Sequence, residues 1–142
     1  MHQQLKFVPK LSPPDLEKAL GVLKDAGVNL VAAGGSNLEF DGELIIAPQD
    51  DQFDDAKKAL VDAGYKTTRL DAGKDFKLCW LTNDAGQLHD CIADEAAANL
   101  ASGKVIQHII IGVERDDQDR IPVAVYSVDI KSAANTGGGT GG

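Results

Sequence analysis

FKLCWLTNDAGQL, residues 76 to 88, changes character halfway along. Its first six residues form an apolar, aromatic run of the kind a strand buries, and the last six, NDAGQL, lead into a long stretch of helix formers. An earlier part of the chain has the same plan: LKFV at residues 5 to 8, LSPPDL at residues 11 to 16, then EKALGVLKDA. Two strand-to-helix corners in one short chain predict a repeated module, and the repeat decides the fold.

In the first copy, Ser12, Pro13, Pro14 and Asp15 supply the cap-like oxygens and first-turn prolines of a helix start. Leu16, Ala19, Leu20, Leu23 and Ala26 follow at helical spacing, and Gly27 stands where a C′ glycine ends a helix. Residues 28 to 33 read as a strand, and FDGELIIAP at residues 40 to 48 returns through an Asp-Gly turn. A second helix is predicted from Asp51 to Ala63, with Phe53, Ala56, Leu60 and Ala63 on one face and acids in its first turn. Gly64 closes it, and YKTTRL at residues 65 to 70 is a strand.

The second copy begins with FKLCWL as a strand. Leu88, Cys91, Ile92, Ala96 and Leu100 predict a helix stripe broken at Ser102-Gly103, and VIQHIIIGV at residues 105 to 113 is a strand. After the charged loop ERDDQDR, IPVAVYSVDI at residues 121 to 130 offers apolar side chains on both parities, so both its faces are expected to be buried. Aligning Leu16 with Leu88 places Gly103 opposite Gly27 with about one extra helical turn between, which leaves the buried stripe in phase.

The expected fold is therefore α+β: a ferredoxin-like βαββαβ module followed by a partial βαββ repeat, with antiparallel sheets and helices on one face. The first module is placed at residues 1 to 72, the second, truncated one at 73 to 131, and a disordered Gly-rich tail at 132 to 142. An incomplete second module predicts an edge completed by the other module or by a second chain, hence a homodimer.

Composition narrows the function. The net charge is −8 with no Lys/Arg cluster, which opposes nucleic-acid binding. No apolar run approaches the roughly 20 residues a membrane span needs, and MHQQLKFVPK lacks the apolar region of a secretory signal, so a cytoplasmic protein is expected. Cys79 and Cys91 form neither a disulfide scaffold nor a CxxC pair and are read as small core residues.

Against this frame, LKDAGVNL at residues 23 to 30 resembles the helix-end passage L-x-x-A-G-I-N-I of the ACT domain family, small βαββαβ regulatory modules that bind amino acids or related effectors. The strand-to-helix corner of that family often reads D-x-P-G-x-L. LSPPDL keeps the proline and the leucine but has Leu11 for the acid and Pro14 for the glycine, whereas NDAGQL keeps Gly86 and Leu88, with Asn83 and Ala85 at the acid and proline positions. The order of elements to about Ile130 is similar to small stand-alone proteins with two ACT modules. The resemblance implies a non-catalytic regulatory protein that senses an amino acid or related metabolite at an interface between modules.

An effector carboxylate suits the unpaired N–H groups of a helix start, and its ammonium needs acceptors such as Asn83 or Asp84. The candidate ligand-binding residues are Ser12, Asn29, Asn83, Asp84, Ala85, Gly86 and Gln87; Asn29 matches the asparagine of the family passage, and its counterpart is Val105. Each has a plainer reading. Ser12 or Asp15, and Asn83 or Asp84, can simply cap helices, at roughly 1 kcal/mol each, and Asn29 can be a polar strand start. Pro13 and Pro14 remove two N–H donors from the first corner, so NDAGQL is the better anion site.

Other candidates are weaker. Gly34-Gly35-Ser36 follows a strand but opens no helix, so a β-bulge or turn is expected there rather than a phosphate loop. His89, Asp90, Cys91, Asp94 and Glu95 are spread over two helix faces, and no metal site or cofactor is assigned. No nucleophile set is recognisable, so no enzymatic activity is expected. Trp80 reads as core. The alternative function is a ligand-free scaffold for dimerisation or partner docking.

Overall fold

A computed structural model of the chain describes residues 1 to 9, 13 to 36, 42 to 82 and 84 to 130. Of the predicted features, the Gly-rich tail, Ser12, Asn83 and the Asp41 end of the first hairpin lie outside these residues. The chain divides into two compact units, Met1–Ala72 and Gly73–Gly142.

The first unit runs β1 (Gln3–Phe7), α1 (Pro13–Asp25), β2 (Leu30–Ser36), β3 (Glu43–Pro48), a 3-10 turn (Asp50–Gln52), α2 (Phe53–Asp62) and β4 (Thr67–Asp71). Its strands form one antiparallel sheet in the order β2-β3-β1-β4. Register explains the core: Leu5 lies opposite Ile46 and Phe7 opposite Leu44, so four apolar side chains share one face. Ala19 and Leu23 of α1 and Phe53, Ala56 and Leu60 of α2 pack on that face, and the Phe7 ring meets Tyr65 edge-on at 5.5 Å. Gly27 takes φ +72°, which lets its N–H reach Lys24 O and the Val28 N–H reach Leu23 O, closing α1 as a Schellman motif. The same pair of bonds closes α2 at Gly64.

The second unit runs β5 (Lys77–Leu81), α3 (Gln87–Ser102), β6 (Lys104–Ile111) and β7 (Ile121–Asp129), with sheet order β5-β7-β6. That is the first unit's β1-β3-β2 arrangement without a counterpart of β4 among the described residues. The α+β, ferredoxin-like character and the antiparallel sheets are as expected. Both faces of β7 are buried: Val123 and Val125 on the α3 side, Ala124 and Tyr126 on the other. Burial pushes the Tyr126 hydroxyl well above its ordinary pKa.

Three expectations are corrected. Cys79 and Cys91 are joined in a disulfide. The offset that carries Leu16 to Leu88 also carries Phe7 to Cys79 and Ala19 to Cys91, so the two cysteines occupy facing strand and helix positions that the first unit fills with a ring and a methyl group. Their Cα atoms are 6.5 Å apart, within disulfide reach. Sequence distance concealed this contact, because a corner and a helical turn intervene.

The inner face of α3 is also different from the predicted stripe. Leu88 and Leu100 are exposed, the latter at 88%, and the residues turned inward are Cys91, Ile92, Glu95 and Asn99. Asn99 is buried because Nδ2 donates to Ser127 Oγ at 2.8 Å, while that hydroxyl donates to Glu95 Oε1 at 2.8 Å. A paired polar chain of this kind removes most of the cost of burying an amide. Finally, Gly34 and Gly35 sit in a regular stretch of the β2–β3 ladder, and the irregularity lies earlier, between Leu30 and Ala32.

The charged loop before β7 is organised by one acid. Asp116 Oδ1 accepts from the Gln118 and Arg120 amides, at 3.0 and 2.8 Å, and Oδ2 accepts from Arg120 Nε at 2.7 Å. Desolvation alone would raise the pKa of this carboxyl, but the Arg120 side-chain bond, the two amides and the Arg120 charge together hold it below its ordinary 3.8. The turn's contribution to stability is therefore complete above that value and is lost as pH falls through it toward the folded pKa. Amide shifts of Gln118 and Arg120 followed by NMR should titrate below 3.8; a midpoint above it would contradict the assignment.

Candidate functional site

The corner between β5 and α3 is held by its own side chains. Gln87, in the first turn of α3, folds back so that Oε1 accepts from the Thr82 amide and Nε2 donates to Thr82 Oγ1. Thr82 Oγ1 in turn donates to Asp84 Oδ2 at 2.6 Å, and Gln87 Nε2 reaches the same oxygen at 3.4 Å. The two ends of the corner are thus tied across Asp84, Ala85 and Gly86, whose own side chains contribute little bulk apart from the carboxylate. Asp84, Ala85 and Gly86 are exposed, and Gln87 is half-buried.

Gly86 is the N-cap of α3, at φ +86° and ψ −9°, and among the described residues no side chain caps the helix there. Of the two cap candidates, Asn83 lies outside the described residues and Asp84 does not cap α3: its carboxylate is held by Thr82 and Gln87. A caboxylate held this way stands beside the helix start instead of on it, so an acceptor for a cation lies next to main-chain donors for an anion.

Asn29 stands in the first unit in a separate arrangement. Its amide donates to Gln52 Oε1 at 2.7 Å, Gln52 Nε2 donates to Gly27 O at 2.9 Å, and its carbonyl accepts from the Gln49 amide at 3.0 Å. Gln52 brackets the passage from α1 to β2, which fixes the Asn29 backbone and leaves its residue exposed to solvent. Neither Gln52 nor Thr82 was singled out in the sequence. Thr82 had a usable signal, a hydroxyl at the end of a strand beside a polar corner; Gln52 had none, because its partners lie more than twenty residues away in the chain.

Two open grooves are bounded by described residues of the first unit. One, of about 1090 Å³, runs along α1 past Leu16, Glu17, Leu20, Gly21 and Lys24. The other, of about 380 Å³, is lined by Ala26, Asp55, Lys58, Ala59 and Asp62. Among the described residues that line them, none is a predicted binding residue. Among the described residues no group of three or more His, Cys, Asp or Glu is placed to hold a metal ion, and no helix is long and apolar enough to cross a membrane.

No protein-family description matches the chain, and no curated protein matches it in sequence. Solved structures do. Protein BT0572 from Bacteroides thetaiotaomicron superposes with a TM-score of 0.63 at 19% identity, covering 94% of this chain and 84% of that one. The regulatory subunit of aspartate kinase from Thermus flavus gives 0.57 at 13% identity, covering 94% and 86%. The ligand-free regulatory subunit of aspartate kinase from Thermus thermophilus gives 0.55 at 15% identity, covering 96% and 88%. At such identities the likeness speaks for the fold, and together with the strand orders of the two sheets it identifies the chain's fold as ACT-like.

Proposed function

We propose that this chain is a non-catalytic regulatory protein of two tandem ACT-like modules, meeting near residues 72 and 73, that senses an amino acid or related metabolite. The observation that carries this reading is the corner of α3, where a helix start that no described side chain caps is braced by Gln87 and flanked by the Asp84 carboxylate. A free α-amino acid has a carboxylate for main-chain N–H groups and an ammonium for Asp84. Asn83, Ala85 and Gly86 complete this corner, with Ser12 at the matching corner of the first module and Asn29 as a separate contact just past its first helix. Two structures of similar fold are regulatory subunits of aspartate kinase, which supports a regulatory role. The protein is taken to act in the cytoplasm as a homodimer.

A panel of amino acids and related metabolites in a thermal-shift assay tests the reading. A true effector at about 100 times its Kd stabilises by roughly 2.7 kcal/mol, and Gln87→Ala is expected to abolish that shift while the unliganded protein stays folded. Failure of every compound to move the wild-type melting temperature, or an undiminished shift in Gln87→Ala, would remove the corner as an effector site. Sedimentation giving a strictly monomeric mass at high concentration would remove the homodimer.

A second reading, a scaffold for dimerisation or docking without ligand, draws on the exposure of Ile109 and Ile111 of β6 and Val113 beyond it, at 47%, 55% and 81%. An edge strand carrying bare branched side chains invites pairing. The same panel separates the two readings, because the scaffold predicts no shift with any metabolite.

A further inference from the structure

We propose that Cys79 and Cys91 form a reversible dithiol–disulfide site whose oxidised state pins the first turn of α3 and, with it, the corner at residues 82 to 87. The chain's only two cysteines are both in this bond, and the loop it closes, with a sequence separation of 12, contains the whole corner.

The packing around the bond explains why it matters locally. In the first unit the equivalent positions, Phe7 and Ala19, belong to a core of ten buried residues among those described. In the second unit the corresponding cluster has three among the described residues, Cys91, Val123 and Val125, with Cys79, Leu81, Ile92 and Ile106 only partly buried around it. Ahead of Cys91, α3 offers no buried side chain: Leu88, His89 and Asp90 are exposed and Gln87 is half-buried. The next buried residue, Asn99, anchors the far half of the helix through Ser127. The sulfur bridge, with the partly buried Ile92 beside it, is thus what attaches the helix's first half to its sheet, where the first unit relies on apolar burial alone.

A dithiol reduces the bond in two steps. One thiolate of the reductant attacks a sulfur of the bridge and expels the other as a thiolate, which takes up a proton; the reductant's second thiol then resolves the mixed disulfide. Two electrons and two protons pass to the pair, and the reductant leaves as its own disulfide. With the covalent tie gone, Cys91 is held only by its small apolar contact, and the brace from Gln87 to Thr82 and Asp84 spans a helix end free to fray. This redox site is independent of any effector at the corner.

Hydrogen exchange of the full chain, oxidised and then treated with dithiothreitol without denaturant, tests this. Exchange at residues 82 to 92 is expected to rise by about tenfold or more on reduction, while α1 and β1 to β4 keep their rates. Reoxidation by glutathione disulfide should restore the slow rates. A Cys79→Ser/Cys91→Ser protein should match the reduced form, which separates loss of the bond from other effects of the reductant. Unchanged exchange, resistance of the bond to dithiothreitol under native conditions, or loss of protection across all of β5 to β7 would each overturn the proposal, the last by making the bond a staple of the entire unit.

Discussion

Phe7→Ala is expected to cost about 3–5 kcal/mol, the range for removing an aromatic ring from a packed core. Phe7 is 1% exposed and lies on a central strand, opposite Leu44 on one side and Thr67 on the other. Its neighbours cannot collapse into the gap cheaply, because β1 is held by ladders on both edges and the ring contact with Tyr65 has no substitute. Since a whole domain is stable by only about 5–15 kcal/mol, this loss takes a large part of the total. Urea unfolding followed through the Tyr65 environment should show the midpoint fall with the slope unchanged. A loss under about 1 kcal/mol would mean that the ring is not at the centre of the first core.

The second large effect sets backbone propensity against contact. Gly35 lies inside β2, opposite Leu44, and valine is a far better strand residue than glycine. On propensity alone, Gly35→Val should stabilise by a few tenths to about 1 kcal/mol. A Cβ at this position, however, comes within 2.9 Å of the Glu43 carbonyl oxygen and 3.2 Å of Leu44 Cδ1. The leucine methyl can rotate aside, but the carbonyl is part of β3 and moves only if the ladder opens. Contact is therefore expected to win, with a net destabilisation of about 1–3 kcal/mol. Thermal unfolding of Gly35→Val measures it; a melting temperature equal to or above that of the native sequence would show that the strand shifts freely.

These two sites also show what could be read in advance. The glycines at 34 and 35 were visible, and so was the absence of a helix after them, which excludes a phosphate loop. The role of Gly35 as a close approach between strands was not visible, since the group it accommodates is a carbonyl of a strand paired from the other side of a hairpin. Phe7 could be assigned to a strand from its neighbours alone. That the same position in the second copy is a cysteine bonded across to the helix required the two elements to be in place.

For the candidate site, the corner and Gly86 could be located from the run of residues, and Gln87 was included among the binding candidates. What Gln87 does, folding back on Thr82 and drawing Asp84 off the helix start, depends on three side chains competing for the same partners in space. The reversal along α3 has the same origin. Leu100 is the more apolar residue, but Asn99 meets Ser127 across the sheet, and that bond turns the amide inward and leaves the leucine at the surface.

By itself the sequence determined the order of strands and helices and the glycine stops after α1 and α2, because periodicity, capping and turn chemistry act between residues a few positions apart. Only the tertiary structure decided the Cys79–Cys91 bond, the Gln52 bracket on Asn29 and the polar inner face of α3. Each of these joins different elements of the fold, and such a contact acquires its energy only when the intervening chain has already folded to bring the partners within bonding distance.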